Sequence, residues 1–274
     1  MVDAALDSGI TLLDTADVYG DGKSEEYLGR LLEGRRDGVV VATKFGSGRG
    51  GGTSGGGRPE YVRQMVEGSL RRLRTDRIDL YQMHQPDVST PIAETLGALG
   101  ELVRDGKVRE IGCSNFTAEQ LREAERAVAH GAPRFISVQN ELNLLERDDE
   151  LEGLRESEAL GLAYLPYFPL ASGRLTGKYQ RGEPVPDGSR LAGWSQEVRA
   201  DLLSDAAFDR IDALTRFAGE RGHTLLELAF AWLLAQRPVA SVIAGATTAD
   251  QVRANVEAAT WRLGGKELAA LEEL

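Results

Sequence analysis

Cysteine is almost missing from this chain of 274 residues. Cys113 is the only one, so no intrachain disulfide can form and a reducing compartment is the natural setting. Long apolar runs are missing as well. No uninterrupted stretch approaches the roughly 20 residues that a membrane-spanning helix needs, and the N-terminus has no signal-peptide pattern. Positive charge is in deficit: 32 basic residues against 43 acidic ones give a net charge of −11. That excludes nucleic-acid binding by bulk electrostatics, while leaving room for a local basic pocket around a phosphate. These absences predict an acidic, soluble, cytoplasmic protein with no nucleic-acid or membrane partner and no metal centre.

The rest of the composition is ordinary for a globular protein, with 42% hydrophobic and 27% charged residues. Short apolar runs alternate with stretches of helical spacing, which is the signature of βα units and a parallel sheet. The strand candidates are 10–13, 39–42, 78–83, 108–113, 135–139, 162–167 and 239–243. Helical spacing covers 25–32, 60–73, 92–103, 118–128, 150–160 and 225–234. Thr117 is placed to cap one helix, and Thr75-Asp76 closes another. Seven strand–helix units without a break in composition predict a single domain over 1–274, an α/β (β/α)8 barrel from which one unit is incomplete. A doubly wound sheet is the competing architecture. It would carry a glycine-rich turn after its first strand, and none follows Ile10 to Leu13. Two segments interrupt the pattern: the Gly/Ser/Arg-rich stretch 46–57 and the excursion 179–197. In a barrel both fall on the mouth face, where substrate gating and plain surface loop are the two readings.

Four side chains lie at or just past the ends of the first three apolar runs: Asp14, Tyr19, Lys44 and His84. Each alone has a bland role, as turn cap, rim aromatic, paired cation or core histidine. Together, a carboxylate, a phenol, an amine and an imidazole at successive strand ends meet where parallel α/β folds place chemistry. They suit proton delivery to a carbonyl oxygen. A phenol titrates near pH 10, and a neighbouring ammonium makes it more acidic. Tyr19 would be the general acid, Lys44 its tuner, Asp14 the orienter of Lys44, and His84 a hydrogen-bond donor to substrate. Such a site supplies no electrons, so a hydride donor is required.

Thr11-Leu12-Leu13-Asp14-Thr15-Ala16-Asp17-Val18-Tyr19-Gly20 resembles the aldo-keto reductase signature around the catalytic aspartate and tyrosine. Thr43-Lys44 and Asp79-Leu80-Tyr81-Gln82-Met83-His84 resemble the segments that carry its lysine and histidine. Gly106 to Phe116 and Val138-Gln139-Asn140-Glu141 are similar to the next two strand motifs. The resemblance runs from residue 1 to about residue 260 and points to the bacterial and potassium-channel β-subunit-like branches. It implies NADP(H)-dependent reduction of an aldehyde or ketone, a small-molecule carbonyl substrate, and a nicotinamide carboxamide held by Ser114, Asn115 and Gln139. Tyr167 would stack on the nicotinamide. Pro169, Leu170, Ala171, Gly173 and Lys178 fall in what resembles the pyrophosphate-covering loop, and Arg190 would add a second phosphate contact. Gly245, Thr247, Gln251 and Asn255 resemble the adenosine end, where a helix start favours a 2′-phosphate and hence NADP over NAD. A second function also fits the resemblance: an NADP(H)-binding regulatory or partner-binding protein with slow or vestigial chemistry. A lyase or isomerase on the same barrel would leave the cofactor motifs unexplained.

Several positions depart from the family pattern. Phe168 stands where many relatives carry a small hydroxyl residue, and Thr247 replaces an arginine that some use against the 2′-phosphate. Cys113 reads as an inert buried thiol, His130 and His223 as surface or helix-end residues, and Trp194 as a pocket aromatic. Residues 1–6 open directly in what resembles the family's first helix, without its preceding hairpin and strand. The two explanations are a truncated or late start and a genuine short form. The second predicts lower stability, homo-oligomerisation across an open sheet edge, or weakened catalysis.

Overall fold

The computed structural model describes residues 1–47, 56–128, 132–147 and 151–274. Most of the Gly/Ser/Arg-rich stretch, His130 and the expected helix start at Glu150 lie outside these residues. The chain divides into two compact units. One comprises Val2–Asn140 and Leu151–Leu165, the other Met1, Glu141–Glu150 and Pro166–Leu274.

The first unit is built on a parallel sheet in sequential order β1-β2-β3-β4-β5-β6, with strands Leu12–Asp14, Val40–Phe45, Ile78–Met83, Val108–Ser114, Ser137–Gln139 and Ala163–Tyr164. Helices α1 (Val2–Asp7), α2 (Lys23–Leu31), α3 (Pro59–Leu73), α4 (Ile92–Arg104), α5 (Ala118–Val128) and α6 (Leu151–Leu160) alternate with them. Sequential all-parallel order is that of a (β/α) barrel wall, in which helices cover the outer face and side chains fill the inner one. Accordingly β3 is buried at every position, and β4 at all but Arg109 and Glu110.

The helices form where their apolar spacing predicts. In α3, Val62, Val66, Leu70 and Leu73 make one buried stripe, and Pro59 supplies a first-turn residue that needs no N–H partner. Arg74 ends the helix in the left-handed region (φ 53), its N–H reaching Leu70 and Arg71 carbonyls. Thr117 caps α5 reciprocally: its N–H donates to Gln120 Oε1 (2.9 Å), and the Gln120 N–H donates to Thr117 Oγ1 (3.3 Å). Where α2 crosses the end of α3, a Cβ on Gly29 would meet the Arg72 and Leu73 carbonyls at 2.6 to 2.7 Å. Backbone cannot yield as a side chain can. Gly29→Ala is therefore expected to cost about 1–3 kcal/mol, read as a lower midpoint in urea with an unchanged slope.

The second unit is mostly helical among its described residues. It holds α7 (Gln196–Leu202), α8 (Asp205–Gly219), α9 (Leu225–Leu234), α10 (Ala249–Ala258) and α11 (Gly265–Glu272). Thr224 and Glu227 form a capping box that starts α9 at the predicted residue. Two expected strands are reduced here. The 162–167 run keeps β6 and then isolated bridges at Tyr167, to Glu141 and to Ile243. The 239–243 run contributes isolated bridge residues at Val239 and Ile243, the latter paired with Tyr167. β-Branched residues at 239, 242 and 243 give the strand pattern, but pairing is limited to isolated bridges.

Candidate active site

Parallel pairing in register places five polar side chains on one face of the sheet. Asp14 is opposite Ala42, two residues before Lys44. Lys44 is opposite Gln82, and Gln82 is opposite Gly112. Ser114, two residues further on, is opposite Gln139. Because side chains alternate along each strand, all five share a face. Gly112 is what makes room. A Cβ there would lie 2.6 Å from Ser137 Oγ and 3.2 Å from Gln82 Cγ.

The centre of this face is an ion pair. Lys44, 1% exposed, donates from Nζ to Asp14 Oδ2 at 2.5 Å and to the Thr15 carbonyl at 3.1 Å. Burial lowers the Lys44 pKa, and the Asp14 carboxylate acts against that shift. Asp14 Oδ1 accepts from the Gln139 amide at 3.0 Å and the Gln82 amide at 3.4 Å. Ser114 donates its hydroxyl to the Gln139 carbonyl (2.6 Å), and Asn115, held at φ 60, donates to Ser114 Oγ and the His84 carbonyl.

Tyr19 stands over this floor, 42% exposed, with Lys44 Nζ 5.5 Å from its ring centroid. His84 meets the same ring edge-on, centroids 5.9 Å apart at 84°. The four strand-end side chains are thus brought together. The His84 N–H is fixed to the Phe45 carbonyl at 2.7 Å, while its Nδ1 is buried without a hydrogen-bond partner. Burial and the neighbouring Lys44 charge push the His84 pKa down to about 4. The imidazole is therefore neutral at physiological pH. Its stabilising effect is complete above the unfolded value near 6.5 and is lost as pH falls toward 4. We expect the His84 ring signals in an NMR titration to stay unmoved from pH 8 to about 5. Titration near 6.5 would contradict the buried neutral state. Just beyond His84, Asp87 anchors the loop by accepting from the Gly57 and Ser89 N–H groups and the Ser89 and Thr90 hydroxyls, which hold its carboxyl well below the usual range.

The remaining sequence-derived cofactor residues belong to the second unit. Tyr167 bridges Glu141 and Ile243 and packs edge-on against Phe168 at 5.2 Å. After it the backbone turns sharply: Phe168, Ala171 and Ser172 all have positive φ (51, 46 and 58). Such conformations are costly for side chains other than glycine and persist only when the surroundings enforce them. Asn143 donates to the Phe168 carbonyl (3.1 Å), and Arg174 donates to the Ala171 carbonyl (3.1 Å) while pairing with Glu146 (2.8 Å). Within this turn lie the buried Pro169 and the half-buried Leu170. The Arg190 guanidinium lies 4.4 Å over the Phe168 ring. Lys178 lies over Tyr179 at 5.1 Å and against Gly173, where a Cβ would approach its Nζ to 2.5 Å. Thr247 gives both its N–H (2.7 Å) and its hydroxyl (3.0 Å) to Gln251 Oε1. Asn255 is half-buried on α10, Gly245 is exposed before it, and Thr248 caps the helix. His223 is stacked on Trp261 at 3.9 Å and paired with Glu227, and Trp194 is exposed.

The aldo/keto reductase family model matches residues 1–274. The chain belongs to the aldo/keto reductase family. Its similarity extends to characterised and solved relatives. It is 32% identical to L-glyceraldehyde 3-phosphate reductase of Escherichia coli strain K12, over 98% of this chain and 81% of that protein. It is 36% identical to a probable voltage-gated potassium channel subunit beta of Oryza sativa subsp. japonica, over 94% of this chain and 80% of that one. The structure of a glycerol dehydrogenase from Gluconobacter oxydans shares 35% identity and a TM-score of 0.84, over 99% of this chain and 83% of that one. Family membership with reductase- and dehydrogenase-named relatives supports an oxidoreductase acting between carbonyl and alcohol. Among the described residues no helix is long and apolar enough to cross a membrane.

Sequence reasoning missed two contributors to this aldo/keto reductase site. Gln82 touches Asp14, and its Oε1 is buried without a partner. The Thr15 carbonyl helps hold Lys44. The parity of Gln82 with His84 on one strand was the available signal. No sequence signal could reveal a backbone carbonyl as a ligand.

Proposed function

We propose that this aldo/keto reductase is a single-domain enzyme that reduces an aldehyde or ketone to an alcohol with NADPH, Tyr19 serving as general acid. The observation that carries the reading is the buried Asp14–Lys44 pair 5.5 Å beneath the Tyr19 ring, with neutral His84 at its edge. A phenol beside a desolvated ammonium releases its proton more readily than a free phenol, and Asp14 keeps that ammonium charged. His84, uncharged at working pH, offers a ring N–H toward the substrate oxygen.

The residues fit a nicotinamide. A carboxamide needs paired donors and acceptors. Ser114, Asn115 and Gln139 present hydroxyl and amide groups beside Asp14, and Gln82 Oε1 is a buried acceptor awaiting a donor. The bound dinucleotide supplies the hydride. Tyr167, Pro169, Leu170, Ala171, Gly173, Lys178 and Arg190 are proposed contacts for its ring and pyrophosphate. Gly245, Thr247, Gln251 and Asn255 are proposed contacts for its adenosine end, with the start of α10 favouring a 2′-phosphate. A small carbonyl substrate is supported by the names of the glyceraldehyde-phosphate reductase and glycerol dehydrogenase relatives.

The deciding experiment is NADPH consumption with a panel of small aldehydes, repeated with NADH. Saturable turnover with a higher kcat/KM for NADPH is expected. The 36% identity to a channel β-subunit-named relative favours one alternative, a cofactor-binding regulatory protein. Tight NADPH binding with no turnover across the panel would select it.

A further inference from the structure

Helices α2 and α3 carry a charge cluster that the carbonyl chemistry leaves unused. Glu26 and Arg30 on α2, with Arg71, Arg72 and Arg74 at the end of α3, line an open cavity of about 270 Å³. Four guanidiniums thus converge in a chain whose net charge is −11. Arg72 is fixed from behind. Its Nε donates to Glu25 Oε2 at 2.7 Å, and the other oxygen of the completely buried Glu25 accepts from the Thr43 hydroxyl at 2.6 Å. Arg30 lies 4.6 Å over the exposed ring of Tyr27, which orients the guanidinium without neutralising it. Among the described residues no carboxylate is within ion-pairing distance of Arg30 or Arg71. Arg74 has only the exposed Glu33 at 3.9 Å, a contact worth little in water.

Basic residues in the last turn of a helix have a bland reading, since the helix C-terminus attracts cations. Arg74 departs from it. It stands one residue past α3 at φ 53 and ψ 44, a left-handed position that glycine fills at lower cost. An arginine there gives up backbone stability, and its side chain lines the same cavity as Arg71. The cavity falls below the roughly 300–1,000 Å³ of pockets for drug-sized ligands, so it suits a compact anion rather than a second dinucleotide. Guanidinium forks take phosphate oxygens two at a time, and four of them match two linked phosphates better than one.

We propose that this cavity between α2 and α3 is a binding site for a soluble diphosphate group, built from elements that carry none of the proposed cofactor contacts. Arg72 is its preorganised floor, Arg30, Arg71 and Arg74 close around the anion, and Glu26 limits the affinity by like-charge repulsion.

The test is calorimetric titration with inorganic pyrophosphate at fixed ionic strength, with sulfate as the reference anion. Saturable binding is expected, about tenfold or more tighter for pyrophosphate than for sulfate. Arg71→Gln should weaken it about tenfold, and Glu26→Gln should tighten it about threefold. Arg216→Gln, which removes an exposed arginine of α8 outside the lining, should leave it unchanged. Arg72 is kept, because its removal would strand the buried Glu25. Arg74→Gly gives the sharpest contrast: binding should weaken while the urea midpoint holds or rises. A lower midpoint with unchanged binding would make Arg74 a helix end only and overturn the assignment. Equal, unsaturable heats with both anions would overturn it as well. So would weakening by Lys178→Gln and not by Arg71→Gln, which would move the anion to the proposed cofactor loop. Capture of the protein on anionic phospholipid vesicles without pyrophosphate binding would reject the soluble ligand.

Discussion

Tyr19→Phe is expected to lower kcat for aldehyde reduction by about 10²- to 10⁴-fold while NADPH binding stays within a few-fold of the native value. The phenol is exposed at the mouth of the proposed site, whereas Lys44 beneath it is closed off. Removing the hydroxyl deletes one atom and leaves the ring in place over Lys44 and against His84. Binding groups and packing therefore survive, and only proton delivery is lost. The measurement is steady-state reduction of a small aldehyde, paired with quenching of tryptophan fluorescence by NADPH. Retained turnover would remove Tyr19 from its assigned role, and another donor such as His84 would have to be sought. Loss of binding along with turnover would instead mean that the ring packs in the cofactor site.

Lys44→Met produces the second large effect, in stability as well as rate. The Lys44 side chain is 1% and the Asp14 side chain 9% exposed, so the substitution leaves a carboxylate buried without its cation. Breaking such a pair from one side costs about 3–5 kcal/mol. The amides of Gln82 and Gln139 still reach Asp14 Oδ1, which places the cost at the lower end of that range. Adding Asp14→Asn removes the stranded charge, so the double variant should regain most of the loss without regaining activity. Denaturant titration of the native protein, both single variants and the double gives the coupling directly. Additive losses would mean that the pair is hydrated in solution and that Lys44 is not the desolvated tuner proposed for Tyr19.

Acid should act on this site in two opposed ways. His84 has its pKa lowered by burial, so the fold loses stability as pH drops from about 6.5 toward 4. Asp17 has its pKa raised to about 6, so the same fold gains stability as pH drops from 6 toward the unfolded value near 3.8. Between about 4 and 6 the two partly cancel. His84→Gln should accordingly leave a protein that becomes more stable on mild acidification.

Much of the first unit, and one helix of the second, was legible in the sequence. The strands 78–83 and 108–113 and the helices 118–128 and 225–234 stand where apolar period and capping residues put them, because both signals are local. The bringing together of Asp14, Tyr19, Lys44 and His84 was legible too, because each follows a strand and parallel strands end on one side. Less was legible around 239–243. Its β-branched residues carry the composition of a strand, but pairing depends on a neighbour that no local pattern names.

By itself the sequence determined the alternation of strand and helix, the family, and the identity of the four strand-end side chains. These follow from period, spacing and motif, which are properties of neighbouring residues. Tertiary structure alone decided that Gln82 and Gln139 turn their amides on Asp14, that Gly112 clears their space, and that the buried Glu25 takes both Thr43 and Arg72 as partners. Those contacts join residues from 18 to 125 positions apart. Their energies depend on desolvation and on which face of a strand each residue takes, and both are set only when the sheet has paired and been covered.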